Sequence, residues 1–259
     1  TVIDPAGGGA PQRFYRARND SPQGGGESRS ALNFDGGDRV IIADQPALNP
    51  STMTVETWVN FERLAYGDGW SPTDSQLFVT KGGETTQGCY WFWQGGSSPR
   101  DIGLAFVIGP SHSSPALVGA SVALQTDRWY HIAGTYDGSS MVLYLDGQMV
   151  ASNQVGAAVI GNSSPLYLGF NDAWPFYLTD QMDDVRLWNY ARTEAEIRAA
   201  MHSTLTGNEP GLAGCWDFNE PANSQIVRDR SPNGCHGQLG SSPALDGDDP
   251  TRVVRGPIR

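Results

Sequence analysis

The chain has few cysteines, one lysine and no long apolar run, and each shortage excludes a class of protein. Its 259 residues include three cysteines, and Lys81 is the only lysine. The sequence contains no Cys-x-x-Cys motif and no cysteine–histidine cluster, so it offers no sign of a zinc or dithiol redox centre. No apolar stretch approaches the roughly 18 residues of a membrane-spanning helix, and no signal-peptide pattern opens the chain, so we expect no membrane insertion.

Positive charge is scarce as well. The net charge is -11 and the pI is about 4.6. A nucleic-acid-binding protein needs a basic face for the phosphates, so we expect no nucleic acid partner. The same charge disfavours unaided binding of sulfated or uronic polysaccharides. It suits a metal cation, a neutral glycan or a protein partner.

The residues that are abundant indicate an all-β protein. Gly (32) and Pro (17) separate short apolar-aromatic runs at regular intervals, which is typical of a two-sheet sandwich or jelly roll. Within Asp127–Ser152, the turn signals Asp137–Ser140 and Asp146-Gly147 divide three such runs and predict an antiparallel meander. Met182, Val185 and Leu187 read as core positions of a strand with an irregularity at Asp183-Asp184.

One helix and two flanking segments complete the outline. Thr193–Met201 has a capping box, with Glu196 three residues after Thr193, and favourable helix composition. Residues 1–27 are expected to be a linker or the end of a preceding module, since DPAGGGAPQRFYRAR resembles the last strand of a bacterial fibronectin-type or immunoglobulin-like module; an ordinary extended arm is the alternative. Residues 241–259 are expected to form an extended tail.

The cysteines allow two interpretations. Cys215 and Cys235 flank a loop that ends in Ser-Pro-Asn-Gly, so a disulfide between them is the first expectation. The odd count leaves at least one thiol, such as that of Cys89, unpaired within the chain. Three buried free thiols are the alternative.

Four phrases in order carry a family resemblance: ALNFDGGDRVII, WYHIAGTYDGSSMVLYLDGQMVAS, MDDVRLWNYARTEAEIRAAM and LAGCWDFNEPANSQIVRDRSPNGCHGQLG. Together they resemble the laminin-G-like and pentraxin group of the concanavalin A-like lectin/glucanase fold, over about residues 28–240. The resemblance implies one jelly roll of two curved antiparallel sheets. It also implies that the N-terminal strand lies near the late MDDVRLW strand.

A structural calcium ion is the sharpest expectation about a site. Asp35 and Asp38 surround a glycine bend, and Asp183-Asp184 supplies two further carboxylates, the hard oxygen ligands that Ca²⁺ prefers. The resemblance implies Ca²⁺ between the early turn and a late acidic residue, with Asp35, Asp38 and Asp183 as ligands and Asp184 as substitute. The alternative is a plain turn beside a solvated edge. The acidic run Leu245–Asp249 is interpreted as a solvated loop.

Exposed aromatics are the candidates for ligand contact. The resemblance implies that the loop 171–177 supplies acidic and amide ligands to a ligand-binding calcium ion. Asn171 and Asp172 have this character, but the longer acidic run of the family is missing. Trp174 and Tyr177, like Trp70 in the insert 65–75, have flat faces on which a sugar ring can stack. Burial of Trp174 under its loop is the alternative. In the run Tyr90–Trp93, one alternating pair is core, and the other lines a concave groove or lies beneath a loop.

Enzymatic signatures are missing. The Glu-x-Asp-x-x-Glu strand of the glucanase branch is absent, since Glu194-x-Glu196 lies on the predicted helix and Glu56 stands alone. We therefore expect a non-catalytic, calcium-stabilised binding module of a secreted or cell-surface multidomain protein, with a glycan as the leading ligand. A protein adhesion or self-assembly domain is the alternative, and a glycan hydrolase or lyase with unrecognised residues is third.

Overall fold

Two antiparallel β-sheets face each other across one apolar core. The computed structural model describes residues 29–67, 74–82, 89–109, 116–156, 161–172 and 176–254. Within these residues sixteen strands form two sheets of eight strands each. This is the jelly-roll sandwich that the strand pattern and the family resemblance predict. The predicted linker, residues 1–27, lies outside the described residues.

The first sheet combines the predicted meander with strands from both ends of the domain. In spatial order it contains β10 (Gln148–Gln154), β9 (Ser140–Leu145), β8 (Trp129–Tyr136), β3 (Met53–Asn60), β12 (Gln181–Trp188), β1 (Ala31–Asn33) and β16 (Thr251–Val253), and β13 (Leu212–Trp216) also pairs with β12. Leu32 on β1 lies opposite Met182 on β12, so the early strand lies beside the late MDDVRLW strand as expected. Asp146 (φ 51°) and Gly147 (φ 71°) both have positive φ, as the primed turn of the meander requires.

The second sheet supplies the opposite wall of the core. In spatial order it contains β14 (Ile226–Val227), β15 (Gly237–Leu239), β2 (Val40–Ile42), β11 (Leu166–Leu168), β4 (Ser75–Lys81), β5 (Cys89–Ser98), β6 (Asp101–Gly109) and β7 (Ala116–Ser121). Phe78, Phe92 and Phe106 come from three neighbouring strands and pack ring against ring, with centroids 5.0–5.2 Å apart. All three are fully buried, so this sheet contributes a large aromatic share of the core.

Strand β12 has both the core positions and the bulge that the sequence predicts. Met182, Val185 and Leu187 are at most 2% exposed. Between Asp183 and Arg186 the pairing of β12 with β3 shifts register, and Asp184 has a φ of 55°. The bulge lets Met182 and Val185, three positions apart, both face the core.

The predicted helix is α1 (Glu194–Ala200), and it covers the outer face of the first sheet. The side chain of Thr193 accepts from the backbone N–H of Glu196, and the Glu196 side chain accepts in return, which completes the capping box. Ile197 is buried and packs against Ala133 and Tyr144. Among the described residues, no helix has the length and apolar character needed to span a membrane.

The segment after residue 240 differs from the expected extended tail. β16 pairs with β1, with Leu32 opposite Arg252. The Arg252 guanidinium donates to the carbonyls of Ser224 (2.5 Å) and Ile226 (3.2 Å) and to the Glu220 carboxylate (3.3 Å). Arg252 therefore joins the edge of the first sheet to residues around β14 at the edge of the second.

The predicted disulfide between Cys215 and Cys235 is wrong, because both thiols are free and buried. Trp216 points into the core and donates its indole N–H to the carbonyl of Cys235 (2.9 Å). Because neighbouring residues on a strand point to opposite faces, Cys215 faces away from the core and packs with Trp188 and Leu212. The sheet itself therefore separates the two sulfur atoms. The side chain of Cys89 lies outside the described residues.

Candidate functional site

A groove of about 720 Å³ lies on the outer face of the second sheet. Strands β4 to β7 form its floor, and the residues just before β4 form part of one wall. Most of its surface is apolar or small, and a few carboxylates and hydroxyls line its margin. This combination is typical of a ligand-binding cleft.

Alternation along β5 places two tryptophans in the groove. Tyr90 and Phe92 face the core, where both are buried, and Tyr90 donates its hydroxyl hydrogen to the carbonyl of Leu48 (3.2 Å). Trp91 and Trp93 face the groove. The predicted division of the aromatic run is therefore confirmed. Trp91 is largely buried at 5% exposure, whereas Trp93 is partly exposed.

The indole of Trp93 lies flat against the sheet because glycines lie beneath it. Gly95 and Gly103 are cross-strand partners on β5 and β6. A Cβ atom on Gly95 would lie 2.5 Å from the six-membered ring of Trp93, and a Cβ on Gly103 would lie 3.3 Å from it. The ring therefore packs over the two glycines, and its exposed part lines the groove. A partly exposed, flat aromatic ring is a stacking surface.

A carboxylate on β6 is held at the margin by the two neighbouring strands. Asp101 accepts from the hydroxyl of Ser121 on β7 (2.8 Å) and from the hydroxyl of Ser97 on β5 (2.9 Å). These hydrogen bonds hold the pKa of Asp101 below its ordinary value. Asp74 is a second acidic residue in the lining, and none of the described lining residues is basic. The groove therefore carries negative charge.

Buried amides support the groove strands on their core side. The Gln76 amide nitrogen donates to Gln94 Oε1 (3.2 Å) and to Asp180 Oδ2 (2.8 Å). Gln94 in turn binds both the N–H and the carbonyl of Ala65 (3.0 and 3.1 Å). Asp180 also accepts from the backbone N–H groups of Glu62 and Arg63. This network joins the 62–65 segment to β4, β5 and the residue before β12, and so fixes the strands that carry the tryptophans.

The structure does not bring the four predicted calcium ligands together. In the pairing of β1 with β12, Asn33 lies opposite Gln181, so the turn that starts at Asp35 continues beyond Asp180, away from Asp183. The backbone N–H of Phe34 donates to the carbonyl of Asp180 (3.1 Å). At about 3.4 Å per residue, this register puts Asp35 and Asp183 roughly four residues, or about 13 Å, apart along the strands.

Asp183 and Asp184 are instead buried within the first sheet. Asp184 makes a bidentate pair with the Arg186 guanidinium (3.0 and 2.5 Å). Asp183 is buried in β12, and its backbone carbonyl accepts from the Thr57 hydroxyl (3.1 Å). The positive φ of Asp184 turns its carboxylate back toward Arg186, which compensates its negative charge.

The early turn instead meets the acidic run near residue 248. Oxygen atoms of Asp246, Asp248 and Asp249 all lie within 4.8 Å of one another. Burial raises the pKa of Asp38 to about 6, and the charges of Asp35 and Asp249 add to the rise. Asp248 also pairs with Arg39 (3.2 Å). Leu245, Asp246 and Gly247 are exposed, as the interpretation of this run as a solvated loop implies, whereas Asp248 and Asp249 lie against the early turn.

Asp249 is the most buried member of this acidic run. It is 9% exposed, and its Oδ1 atom is buried without a hydrogen-bond partner. A Cβ atom on Gly240 would lie 2.1 Å from that oxygen and 3.0 Å from Asp246 Oδ1, so the backbone packs closely against both carboxylates and only a glycine fits there. Ligand oxygens of one Ca²⁺ lie up to about 5 Å apart, since each is 2.3–2.6 Å from the ion. The donor set therefore fits Ca²⁺.

The predicted ligand-contact loop reaches the groove strands at Phe176, whose side chain packs against the cluster that contains Trp91 and whose carbonyl accepts from the N–H of Leu77 (3.0 Å). Asn171 is buried and Asp172 is exposed. Tyr177 stacks on Phe170 with centroids 5.0 Å apart, and the Arg39 guanidinium lies 3.9 Å from the Phe170 ring centroid. Tyr177 is therefore engaged within the protein. Trp70 and Trp174 lie outside the described residues, so their predicted roles stay predictions.

The tryptophan pair is predictable from the sequence, whereas the polar residues at the margin of the groove are not. Asp101, Ser97 and Ser121 lie on three different strands, and only the strand register brings them together. A local signal was present in Trp93-Gln-Gly95, because a glycine two positions after an outward aromatic leaves room for the ring to lie flat.

Several solved structures share this fold. A candidate carbohydrate-binding protein from Bacteroides ovatus aligns with a TM-score of 0.62 at 22% identity, covering 88% of this chain and 62% of that protein. A heptameric SAP-like pentraxin from Limulus polyphemus aligns at 0.53 and 12%, covering 68% and 82%. Domain 4 of a GH43 extracellular arabinanase from Geobacillus stearothermophilus, solved with arabinotriose, aligns at 0.51 and 18%, covering 65% and 75%. At these identities the likeness concerns the fold.

Sequence comparison identifies the family. This chain spans 62% of the length of the Bacteroides ovatus protein. A comparison with curated proteins gives no match. The family model Laminin_G_3, of the concanavalin A-like lectin/glucanases superfamily, matches residues 34–198, more than half of the chain. The chain therefore belongs to this laminin G-like family.

Proposed function

We propose that this chain is a non-catalytic glycan-binding module of a secreted or cell-surface protein, with its ligand in the groove of the second sheet. One observation carries the proposal: the partly exposed Trp93 indole lies over Gly95 and Gly103 and lines the groove. The C–H-rich face of a sugar ring stacks on such a surface, while hydroxyls bind nearby carboxylates. Two relatives by fold support this choice, one described as carbohydrate-binding and one solved with arabinotriose.

Binding of neutral glycans should depend on Trp93. We would measure affinity for xylohexaose, cellohexaose, mannohexaose, chitohexaose and arabinotriose by isothermal titration calorimetry. Loss of an aromatic side chain that stacks on a ligand ring costs about 1–3 kcal/mol, so Trp93→Ala should weaken binding by roughly 5- to 150-fold. Trp129→Ala is the matched control, because Trp129 is also partly exposed but lies on the first sheet. Unchanged affinity in the Trp93 variant, or no binding of any neutral glycan by the wild type, would remove the proposal. If the wild type instead forms concentration-dependent oligomers without binding glycans, self-assembly becomes the better reading.

The absence of catalysis is part of the proposal. A glycosidase needs a general acid whose pKa is raised, paired with a second carboxylate. The pKa of Asp101 is lowered, which is the opposite shift. Incubation with the same glycans should release no shorter products. Release that a single Asp or Glu substitution abolishes would contradict a binding role.

We further propose that Ca²⁺ binds at the Asp246–Asp249 cluster, beside Asp38. The unpartnered Asp249 Oδ1 and the proximity of the Asp246 and Asp248 carboxylates support this location. A bound ion would neutralise the carboxylates and hold the chain's late segment against the early turn, so it would stabilise the folded state. This proposed location replaces the predicted set of calcium ligands, which included Asp183 and Asp184.

Thermal melts with and without calcium test this site. At a free Ca²⁺ concentration 100 times the Kd, stability should rise by about 2.7 kcal/mol, which corresponds to a Tm increase of a few degrees. Asp249→Asn should abolish the calcium-dependent part of the shift. Asp127→Asn, an exposed carboxylate elsewhere that tolerates the same substitution at its positive φ, should retain it. Superimposable wild-type curves in calcium and in EGTA would contradict the site.

A further inference from the structure

Asp101 lies beside the stacking surface. It is on the same face of β6 as Gly103, two residues away, which is about 7 Å along the strand. Gly103 lies beneath the Trp93 ring. A sugar ring on Trp93 would therefore have one edge toward the carboxylate, where its hydroxyls project.

The serine contacts leave part of the carboxylate available. Ser121 donates to Oδ1 and Ser97 donates to Oδ2, so each oxygen accepts one hydrogen bond. A carboxylate offers about four lone-pair positions, two on each oxygen. One position on each oxygen therefore remains after the serine bonds, and the serines fix the plane in which the two positions lie. Such a pair can accept two neighbouring hydroxyls at once.

We propose that Asp101 is the specificity-determining residue of the groove and accepts a vicinal diol of the sugar ring that stacks on Trp93. The inference rests on the proposed glycan-binding function and names its ligand class: neutral glycans with two free adjacent hydroxyls. Asp101 is negatively charged at neutral pH, and none of the described lining residues is basic. A uronic acid or a sulfated sugar is therefore repelled at this position.

Substitution of the carboxylate by its amide tests the role. Asp101→Asn should weaken binding of the neutral hexasaccharide with the highest wild-type affinity by about tenfold or more, because hydrogen bonds to a charged group are lost. Ser121→Ala removes one support and keeps the charge, so a smaller loss of about two- to fivefold is expected. Asp127→Asn changes the net charge equally outside the groove and should bind as the wild type does. All variants should melt at nearly the wild-type Tm.

Two further ligands separate charge from hydroxyl recognition. The wild type should bind hexagalacturonic acid at least tenfold more weakly than the neutral hexasaccharide, and Asp101→Asn should reduce this ratio. A 2,3-di-O-methylated form of the neutral ligand should bind the wild type weakly, because it lacks the two free hydroxyls. Its affinity should fall little further in Asp101→Asn.

The outcomes distinguish this inference from the function on which it rests. If Trp93→Ala loses binding while Asp101→Asn binds both ligands as the wild type does, Asp101 has no such role and glycan binding stands. If the wild type binds no glycan, both are overturned. A loss in Asp101→Asn that Asp127→Asn shares would assign the effect to net charge and would also overturn the inference.

Discussion

Trp93 shows how neighbouring residues decide the role of an aromatic side chain. From the sequence, the shared face of Trp91 and Trp93 follows from strand alternation alone. Which face lines the groove depends on the opposite sheet, and the flat orientation of the ring depends on the register that pairs Gly95 with Gly103. The chemistry of the residue is local, but its exposure is set by contacts far away in sequence.

Asp180 gives a residue-scale prediction about pH. Burial raises its pKa to about 7, although hydrogen bonds from Arg63, Gln76 and Glu62 oppose the rise. The folded state therefore binds this proton more tightly than the unfolded state, in which the pKa is near 3.8. The resulting contribution to stability is fully present below about pH 4 and is lost as the pH rises to about 7. At 1.36 kcal/mol per pKa unit, the loss amounts to as much as about 4 kcal/mol.

Urea unfolding at pH 4.5, 5.5, 6.5 and 7.5 isolates this effect when the wild type is compared with Asp180→Asn. The amide does not titrate, so the free energy of unfolding of the variant should fall less, or rise more, over this range. The difference between the two proteins carries the Asp180 contribution, since other groups titrate in both. Parallel pH profiles would show that Asp180 titrates at its ordinary value.

At the scale of elements, most strands and the helix were predictable, whereas the late short strands β14, β15 and β16 were not. The meander, β12 and the helix lie where the sequence places them, because each has a turn or a capping signal. β7 occupies Ala116–Ser121, whereas the apolar pattern favours residues 121–124. Gly119 weakens the local strand signal, yet a Cβ there would lie 3.2 Å from the Leu104 carbonyl, so close strand packing favours glycine. Such a reason is visible only after the strands are paired.

The outer face of the first sheet contains a buried ionic network that no local sequence pattern predicts. Glu56 on β3 accepts from Trp188 (2.7 Å) and Arg192 (2.8 Å), and His131 lies 3.4 Å from its other oxygen. Burial alone would raise the pKa of Glu56, but His131, Arg186 and Arg192 together lower it to about 2. The network joins β3, β8, β12 and the segment before α1, so one carboxylate holds four elements in register.

Glu56→Gln should destabilise the fold by about 3–5 kcal/mol, because the variant leaves buried arginine charge without its partner. The folded pKa lies below the unfolded one, so the carboxylate stabilises the protein above about pH 4.5 and its contribution is lost toward pH 2. Chemical denaturation at pH 7 measures the loss. Glu194→Gln is a matched control, since its pair with Arg198 is exposed and should contribute little. Equal stability of both variants would contradict the assignment.

At the scale of the whole molecule, the two ends of the domain close the sandwich together. β16 covers the edge of β1, and Arg252 joins it to the β14 region of the second sheet. The sequence predicts a tail here because residues 241–254 contain few apolar side chains. Their contribution is instead backbone pairing and a buried guanidinium, which hydrophobic periodicity does not detect.

Removal of β16 decides between a tail and an integral strand. A variant that ends at Asp249 keeps the acidic cluster but loses the pairing with β1 and the Arg252 contacts. Arg252 and Glu220 have side chains only 3% and 2% exposed, so the deletion leaves a buried carboxylate without its charge partner. We expect a loss of at least about 3 kcal/mol in urea unfolding, and Arg252→Ala should reproduce most of it. Arg198→Ala is the control, because that side chain is exposed and should change stability by less than about 0.5 kcal/mol. If the shortened chain is as stable as the wild type, the pairing of β16 with β1 contributes nothing to the free energy of unfolding, and the prediction is wrong.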